Sequence, residues 1–345
     1  MNKQLSTQQT AVFCGIDVSA RWLAVALIGS DGALSQREFP NDARGHRALL
    51  AWLGKCGNHA RVSMEATGIY SLDLALALDA AAMIELAVLN PKLVNRFAQT
   101  LRRSKTDQAD AVVLAEYSQR MPFVRWQRPT ELHLRLRTLS RYIGTLVEEQ
   151  AGLKNRLGTA ASTATTPRVV LADLKRAMAQ VERRVKQMRR NALKLVEADA
   201  ELGKRYRLLI TVPGIAEANG LAILSELMLL APTMTVRQWV ASSGLDPAHQ
   251  QSGTSVNKPS RISRAGNRHL RAALYMSSLS ASRFDKHLNA FYRALRERHK
   301  TGLQALMAVA RKLLHAIFGI FKTGRPYDGK LLFPNIQTEV KSSAG

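Results

Sequence analysis

The residues Arg102–Ala111 read RRSKTDQADA, and within them Asp107 and Asp110 stand three apart. On a helix, positions i and i+3 share a face, so both carboxylates would point the same way. Two like charges side by side raise the energy unless a cation sits between them. A solvated helix start is the plain explanation, because first-turn carboxylates favour the helix dipole; a divalent metal is the sharper one. Two more acids stand at the ends of apolar runs, Asp17 after AVFCGI and Glu65 after ARVSM. A lone Asp at a strand end is ordinarily a turn or cap residue, but Glu65 continues a buried run. Ligands gather where the strands of an α/β sheet end, so three separate elements could converge Asp17, Glu65, Asp107 and Asp110 on one point. Hard cations such as Mg²⁺ take oxygen ligands. Two of them about 4 Å apart activate an attacking oxygen and stabilise a leaving one on phosphate.

The elements that must position these acids follow from periodicity. AVFCGIDV and WLAVALIG read as strands, with REF after the turn-forming SDG at 30–32. Residues 43–55 carry a helical pattern, ARVSMEATG a strand ending at Glu65, LDLALALDAA a helix and IELAVLN a short strand before a helix begun by Pro91. This predicts an α/β domain over 1–125, a mixed sheet covered by helices. Gly15 and Gly68, beside Asp17 and Glu65, permit close backbone approach of a nucleic-acid strand.

Further along, Leu132, Leu136, Leu139, Ile143, Leu146, Gln150, Leu153 and Leu157 step by fours and threes. The register resumes at Leu171, Leu174, Met178, Val181, Val185, Met188, Ala192 and Leu195. It predicts an antiparallel coiled-coil hairpin over 126–204, each arm roughly 35–40 Å long. Gln150 in that seam suits a register or partner-number device, and self-association through the arm is expected. Two amphipathic helices on a globular core are the alternative. Residues 205–335 read as mainly helical with a loop through the middle, and 336–345 as a frayed tail.

Charge says what such a chain grips. Lys and Arg number 50 against 26 Asp and Glu, a formal net charge of +24. Residues 11–125 hold 13 basic and 11 acidic residues, net +2; residues 251–330 hold 16 and 3, net +13. A polyanionic partner is implied, nucleic acid ahead of a membrane surface. No apolar run suggests a membrane span, and the N-terminus has no signal-peptide core. Cys14 and Cys56 are the only cysteines, read in apolar strand-like segments. That excludes a disulfide framework and predicts a reduced, cytoplasmic protein.

The basic block QSGTSVNKPSRISRAGNRHLRAAL offers the hydroxyls Ser252, Thr254 and Ser255 among Lys258, Arg261, Arg264, Arg268 and Arg271. A hydroxyl attacks phosphorus only when something takes its proton or stabilises the developing charge, and guanidinium forks fit phosphate oxygens. A Gly/Ser turn leading into a phosphate-gripping helix explains the same residues without catalysis. Arg102, Arg103 and Lys105 are placed to approach phosphates beside the acidic pair.

GIDVSA at 15–20, EATGIY at 65–70, NPKLVNRFAQ at 90–99 and KTDQADA at 105–111 together resemble the DEDD transposases of the insertion-sequence 110 type. Those include Piv-type DNA invertases, and many are guided by a bridge RNA. The resemblance continues at VPGIAEANGLAILSEL, SSGLDP and QSGTSVNKPSRISRAGNRHLRAALYM, over nearly the whole chain. It implies a RuvC-like N-terminal domain of the ribonuclease H fold, with Asp17, Glu65, Asp107 and Asp110 as Mg²⁺ ligands. It also implies Ser252 as the nucleophile joined covalently to DNA, with Thr254 and Ser255 supporting. Donor and target DNA, a bridge RNA and a homodimer or homotetramer are the implied partners, in a bacterial cytoplasm at the nucleoid. VPGIAEANG resembles a helix-hairpin-helix whose amides cradle a phosphate, except that Ala216 stands where the family has glycine.

Three other readings compete. A RuvC-like nuclease hydrolysing branched DNA would use the acids and water and leave the serine block idle. An actin-like ATPase would share GIDVS but require further glycine-rich phosphate loops. A non-catalytic nucleic-acid scaffold would use the basic block and the arm alone.

Overall fold

The computed structural model describes residues 11–333 apart from 57–58, 67, 69, 102–105 and 253–255, and divides into two compact units, 1–128 and 129–345. Arg102, Arg103, Lys105, Thr254 and Ser255 therefore lie outside the described residues.

The first unit is built on five strands: β1 (Ala11–Val18), β2 (Trp22–Ile28), β3 (Leu34–Pro40), β4 (His59–Glu65) and β5 (Ile84–Leu89). Their order is β3-β2-β1-β4-β5, with β1, β2 and β3 antiparallel and β1, β4 and β5 parallel. This is the expected mixed sheet, consistent with the RuvC-like reading. Alternation along β1 sorts its residues between two cores. Val12, Cys14, Ile16 and Val18 join Ala60, Val62 and Met64 in a cluster with Leu49, Leu53, Leu74 and Leu78. Those leucines come from α1 (Ala43–Cys56) and α2 (Leu72–Asp79), which cover that face. Cys56 thus ends a helix rather than lying in a strand, because the apolar period of α1 runs past Gly54; both thiols are free.

The opposite face carries α3 (Pro91–Leu101) and α4 (Asp107–Arg120). Here Gly15 decides the packing. A Cβ added to it would collide with the Ala111 carbonyl oxygen and the Ala115 amide of α4, so helix backbone rests directly on strand backbone. Ser118 Oγ, one turn further on, lies 2.5 Å from Ser63 Oγ and 3.4 Å from the Cys14 carbonyl. The space above Gly15 is therefore taken by the protein's own helix, which corrects the expectation that nucleic acid uses it. Gly68 needs its freedom for a different reason, a φ of +73° in an open turn.

The second unit is helical. Thr130 caps α5 (Glu131–Ala161) by accepting the His133 amide at 3.2 Å, and six residues later α6 (Arg168–Glu197) begins behind Pro167. Leu146 and Leu153 meet Val181 and Val185 in a core of their own, with Leu174, Met178 and Met188 against it. Leu136, Ile143, Ala192 and Val196, at the other ends of these helices, join the main helical core. That core gathers α7 (Ala200–Leu209), α8 (Glu217–Leu227), α9 (Val236–Ser243), α10 (Arg268–Phe284), α11 (Lys286–Glu297) and α12 (Gly302–Thr323). A last short turn, α13 (Gly329–Leu332), closes the described chain. By length and hydropathy α12 alone among the described helices would suffice to cross a membrane. Its Val309, Ala310, Leu313, Leu314, Ile317 and Ile320 are instead buried in this core.

The loop expected in the middle of the second unit is a β-hairpin, β6 (Pro247–Ser252) against β7 (Val256–Ile262). Its polar sequence, with Pro247 and Pro259, carries no alternation that would have announced strands.

Gly15→Ala forces α4 off the sheet, since a backbone clash has no side chain to rotate away. We expect a loss of roughly 3 kcal/mol or more, read as a lower denaturant midpoint for the N-terminal unit, whereas Gly32→Ala, with open space but a φ of +80°, loses about 1–2 kcal/mol.

Candidate active site

Asp17 and Glu65 reach the same edge of the sheet by register. Ile16 pairs with Met64 across parallel strands, so the next residue on each strand is an acid. Odd-numbered positions of β1 and β4 face α4, as Gly15 and Ser63 demonstrate, and Asp17 and Glu65 continue that parity. The start of α4 is fixed by Thr106, whose hydroxyl accepts the Ala109 amide at 3.2 Å and whose carbonyl accepts the Asp110 amide at 2.8 Å. Asp107 and Asp110 thus occupy the first turn. Because α4 is seated on Gly15 through Ala111 and Ala115, that turn overhangs the strand ends.

The electrostatics record the convergence. Asp17 is half-buried, and its carboxyl is pushed up to about 6, by burial first and then by the charges of Asp107, Asp110 and Glu65. A hydrogen bond from the Val18 amide works in the opposite direction and does not prevail. Glu65, Asp107 and Asp110, from two further elements, thus all bear on Asp17. An all-oxygen donor set suits a hard divalent cation, and such an ion would relieve the repulsion concentrated at Asp17. Among the described residues, no three His, Cys, Asp or Glu side chains are drawn close enough to hold a metal ion as they stand.

The basic block belongs to the second unit. Ser252 is the last residue of β6, paired with Val256, beside the turn. Arg261, Arg264 and Arg268 are exposed, and Arg264 adopts a φ of +52°. Arg271 is engaged internally, donating to the Ser243 carbonyl at 2.8 Å and the Gly266 carbonyl at 3.4 Å.

What the sequence did not disclose is how this hairpin is anchored. Gly244, at a φ of +67°, and Gly266 cross so closely that a Cβ on either would meet the other segment's backbone. Ser263 N donates to Asp246 O at 2.8 Å, Arg264 N to Gly244 O at 3.1 Å and Asn267 N to Ser242 O at 2.6 Å. The motifs SSGLDP and SRAGN are thus two halves of one clamp at the hairpin's base. Asn267 extends it inward. Its amide donates to Glu226 Oε2 at 2.6 Å, and Arg141 of α5 grips the same carboxylate at 2.7 and 3.1 Å. Glu226 is 3 % exposed, so a buried charge ties α5, α8 and the clamp together.

The VPGIAEANG corner joins α7 to α8. Gly214 has a φ of +86° and its Cα packs on the α10 backbone at Ser277 and Ala281. Ala216 sits at φ −85°, where alanine carries no strain, so its departure from glycine is neutral.

Comparison with known proteins agrees along the chain. Residues 14–164 match the DEDD family model of insertion-sequence 110, described as "Transposase". Residues 206–293 match "Transposase IS116/IS110/IS902 family". The chain belongs to the IS110 transposase family. Its similarity to the pilin gene-inverting proteins of Moraxella bovis and Moraxella lacunata is 25 % identity over 92 % of this chain and 98 % of each relative. An uncharacterized 43.6 kDa protein of insertion element IS110 from Streptomyces coelicolor is 27 % identical over 36 % of this chain and 30 % of its own. An IS110 transposase is an enzyme of DNA recombination, so DNA is its substrate. A DEDD family also points to dependence on a divalent metal.

Two outcomes follow. A raised native carboxyl makes the metal-free protein bind its proton longer than the unfolded chain does. Asp17 thus favours folding most below about 4 and loses that contribution as pH rises through about 6. The melting temperature of Asp17→Asn, relative to the parent, should therefore climb between pH 4 and 7 without metal, and millimolar Mg²⁺ at pH 7 should stabilise the parent more than the variant. In the other unit, Arg141→Leu strands Glu226 as a buried lone charge and should lower stability by about 3–5 kcal/mol. Arg135→Leu, which breaks an exposed pair with Glu131, should lower it by less than about 1 kcal/mol.

Proposed function

We propose that this transposase exchanges DNA strands through a site composed of the four carboxylates and Ser252. The observation that supports it best is the concentration of charge on Asp17 by Glu65, Asp107 and Asp110. In this reading Asp17, Glu65, Asp107 and Asp110 hold Mg²⁺, one ion or two. Bound there, the metal supplies a positive charge that neutralises the phosphate and polarises its oxygens. Ser252 Oγ attacks phosphorus, forming an Oγ–P bond as the bond to one deoxyribose oxygen breaks. The serine hydroxyl gives up its proton and the released sugar oxygen takes one up. One phosphodiester is replaced by another, so rejoining requires no nucleotide triphosphate. Arg261, exposed on β7, and Arg264 and Arg268, exposed beyond it, would grip phosphates on either side. Lys258, Arg102, Arg103 and Lys105 join them in this reading, while Arg271 serves the clamp.

Two copies at least are required, since exchange holds two broken duplexes together; the α5–α6 arm, read as a coiled coil, is the element we assign to that pairing. A bridge RNA as guide rests on the family resemblance and on the charge of +24. Inversion, which the Moraxella relatives' names record, and transposition are the same exchange with junctions differently placed.

The protein incubated with Mg²⁺, its co-purifying RNA and junction DNA, then denatured, should yield a covalent protein–DNA adduct. We expect Ser252→Ala to abolish it, Asp17→Ala to abolish it, and Ser255→Ala to retain it. Mg²⁺-dependent cleavage with no adduct would establish the hydrolytic nuclease instead.

A further inference from the structure

At the same sheet edge as Asp17 and Glu65, but on the α1–α2 side, lies a cavity of about 500 Å³ whose lining includes Ala20, Asn41, Asp42, His46, Tyr70 and Asp73. Its size falls within the ~300–1,000 Å³ of small-ligand pockets. Three loops that leave the sheet at this edge are tied around it by one side chain. Asn41 donates its amide to the Ser19 carbonyl at 2.8 Å and to the Tyr70 carbonyl at 3.1 Å. Its remaining oxygen stands 2.9 Å from His46 Nε2, which must therefore carry the hydrogen. His46 is 7 % exposed, and burial holds it below its ordinary value, so the imidazole is neutral at pH 7.

The lining selects for a class of ligand. It has no lysine or arginine, and both its charges, Asp42 and Asp73, are negative. A phosphate is repelled. Asp42 is consumed by the Arg44 and Gly45 amides at the start of α1, whereas Asp73 has no hydrogen bond or ion pair among the described residues. A flat neutral ring with N–H donors suits what is left, a free carboxylate acceptor and an aromatic face. The Tyr70 side of that face is open, the residue being 50 % exposed, and Trp22 at the same edge is 55 % exposed. Ala20 lies three residues beyond Asp17, at most about 10 Å along the chain. A strand with one phosphate at Asp17 can therefore place a neighbouring base here.

We propose that this cavity receives an unpaired nucleobase of the DNA strand being cut, stacked on Tyr70 and hydrogen-bonded to Asp73. The proposal rests on the assignment of Asp17 and its partners as the cutting site. Lodging a base out of the duplex would hold the scissile phosphate in place and make the cut sensitive to the base beside it.

Full-length protein irradiated with single-stranded oligothymidylate carrying one 5-iododeoxyuridine should crosslink at Tyr70, mapped by peptide mass. Tyr70→Ala should remove that crosslink and weaken oligonucleotide binding about tenfold, while Tyr70→Phe keeps both and controls for folding. Asp17→Asn should keep the crosslink although it disables the proposed cutting site, so the pocket and the cutting site fail separately. Crosslinks confined to the second unit, or Tyr70→Ala binding like the parent, would overturn the proposal.

Discussion

Backbone against backbone at Gly15 is the contact on which the N-terminal unit turns. Carboxylates repel, and nothing in the acids themselves would bring Asp107 and Asp110 over the strand ends. The α4 helix is delivered there by apolar contacts: Ala111 and Ala115 bear on Gly15, and Val113, Leu114 and Tyr117 bear on Ala87 and Leu89 of β5. Hydrophobic burial along the rest of the helix thus offsets the electrostatic cost at its first turn, and the cost is visible in the raised Asp17. Small residues at the contact are essential because they set the height of the helix above the sheet, and through it the distance between acids on different elements.

The strands and helices of this unit were legible because their apolar patterns are clean. AVFCGIDV alternates between two covered faces, and α1 and α2 present leucines at helical spacing. Asp17 and Glu65 stand out because each closes an apolar run, and Asp107 and Asp110 because they lie three apart behind a basic stretch. Gly15 is ambiguous in the sequence. A glycine beside an acid looks alike whether it admits a ligand or a helix, and only the partner element distinguishes them. The hairpin of β6 and β7 was illegible because PAHQQS and VNKPSRI are polar throughout and carry no period-two apolar trace.

Glu226 marks the same limit in the helical unit. In LAILSELMLL it reads as a polar position on an amphipathic helix, yet it is buried and shared by Arg141 and Asn267, 85 and 41 residues away in sequence. Long-range polar networks leave no periodic signal. Their energy is also of a different kind: a buried ion pair adds little net stability over apolar packing but penalises every arrangement that separates its members. Here the arrangement it enforces joins α5 to the base of the hairpin that carries Ser252, so the long helix and the hairpin share one reference frame.

The crossing of Gly244 and Gly266 gives the hairpin a mechanical character. Clamped at its root by backbone contacts, it is a cantilever whose fulcrum cannot slide. Ser252 stands at the far end of the six residues of β6, roughly 20 Å out at ~3.3 Å per residue. Any flexing of the ribbon about this root would sweep the serine along an arc of that radius. Reach and stiffness are thereby separated: hairpin length governs how far the hydroxyl extends, and the two glycines at its root govern where it starts.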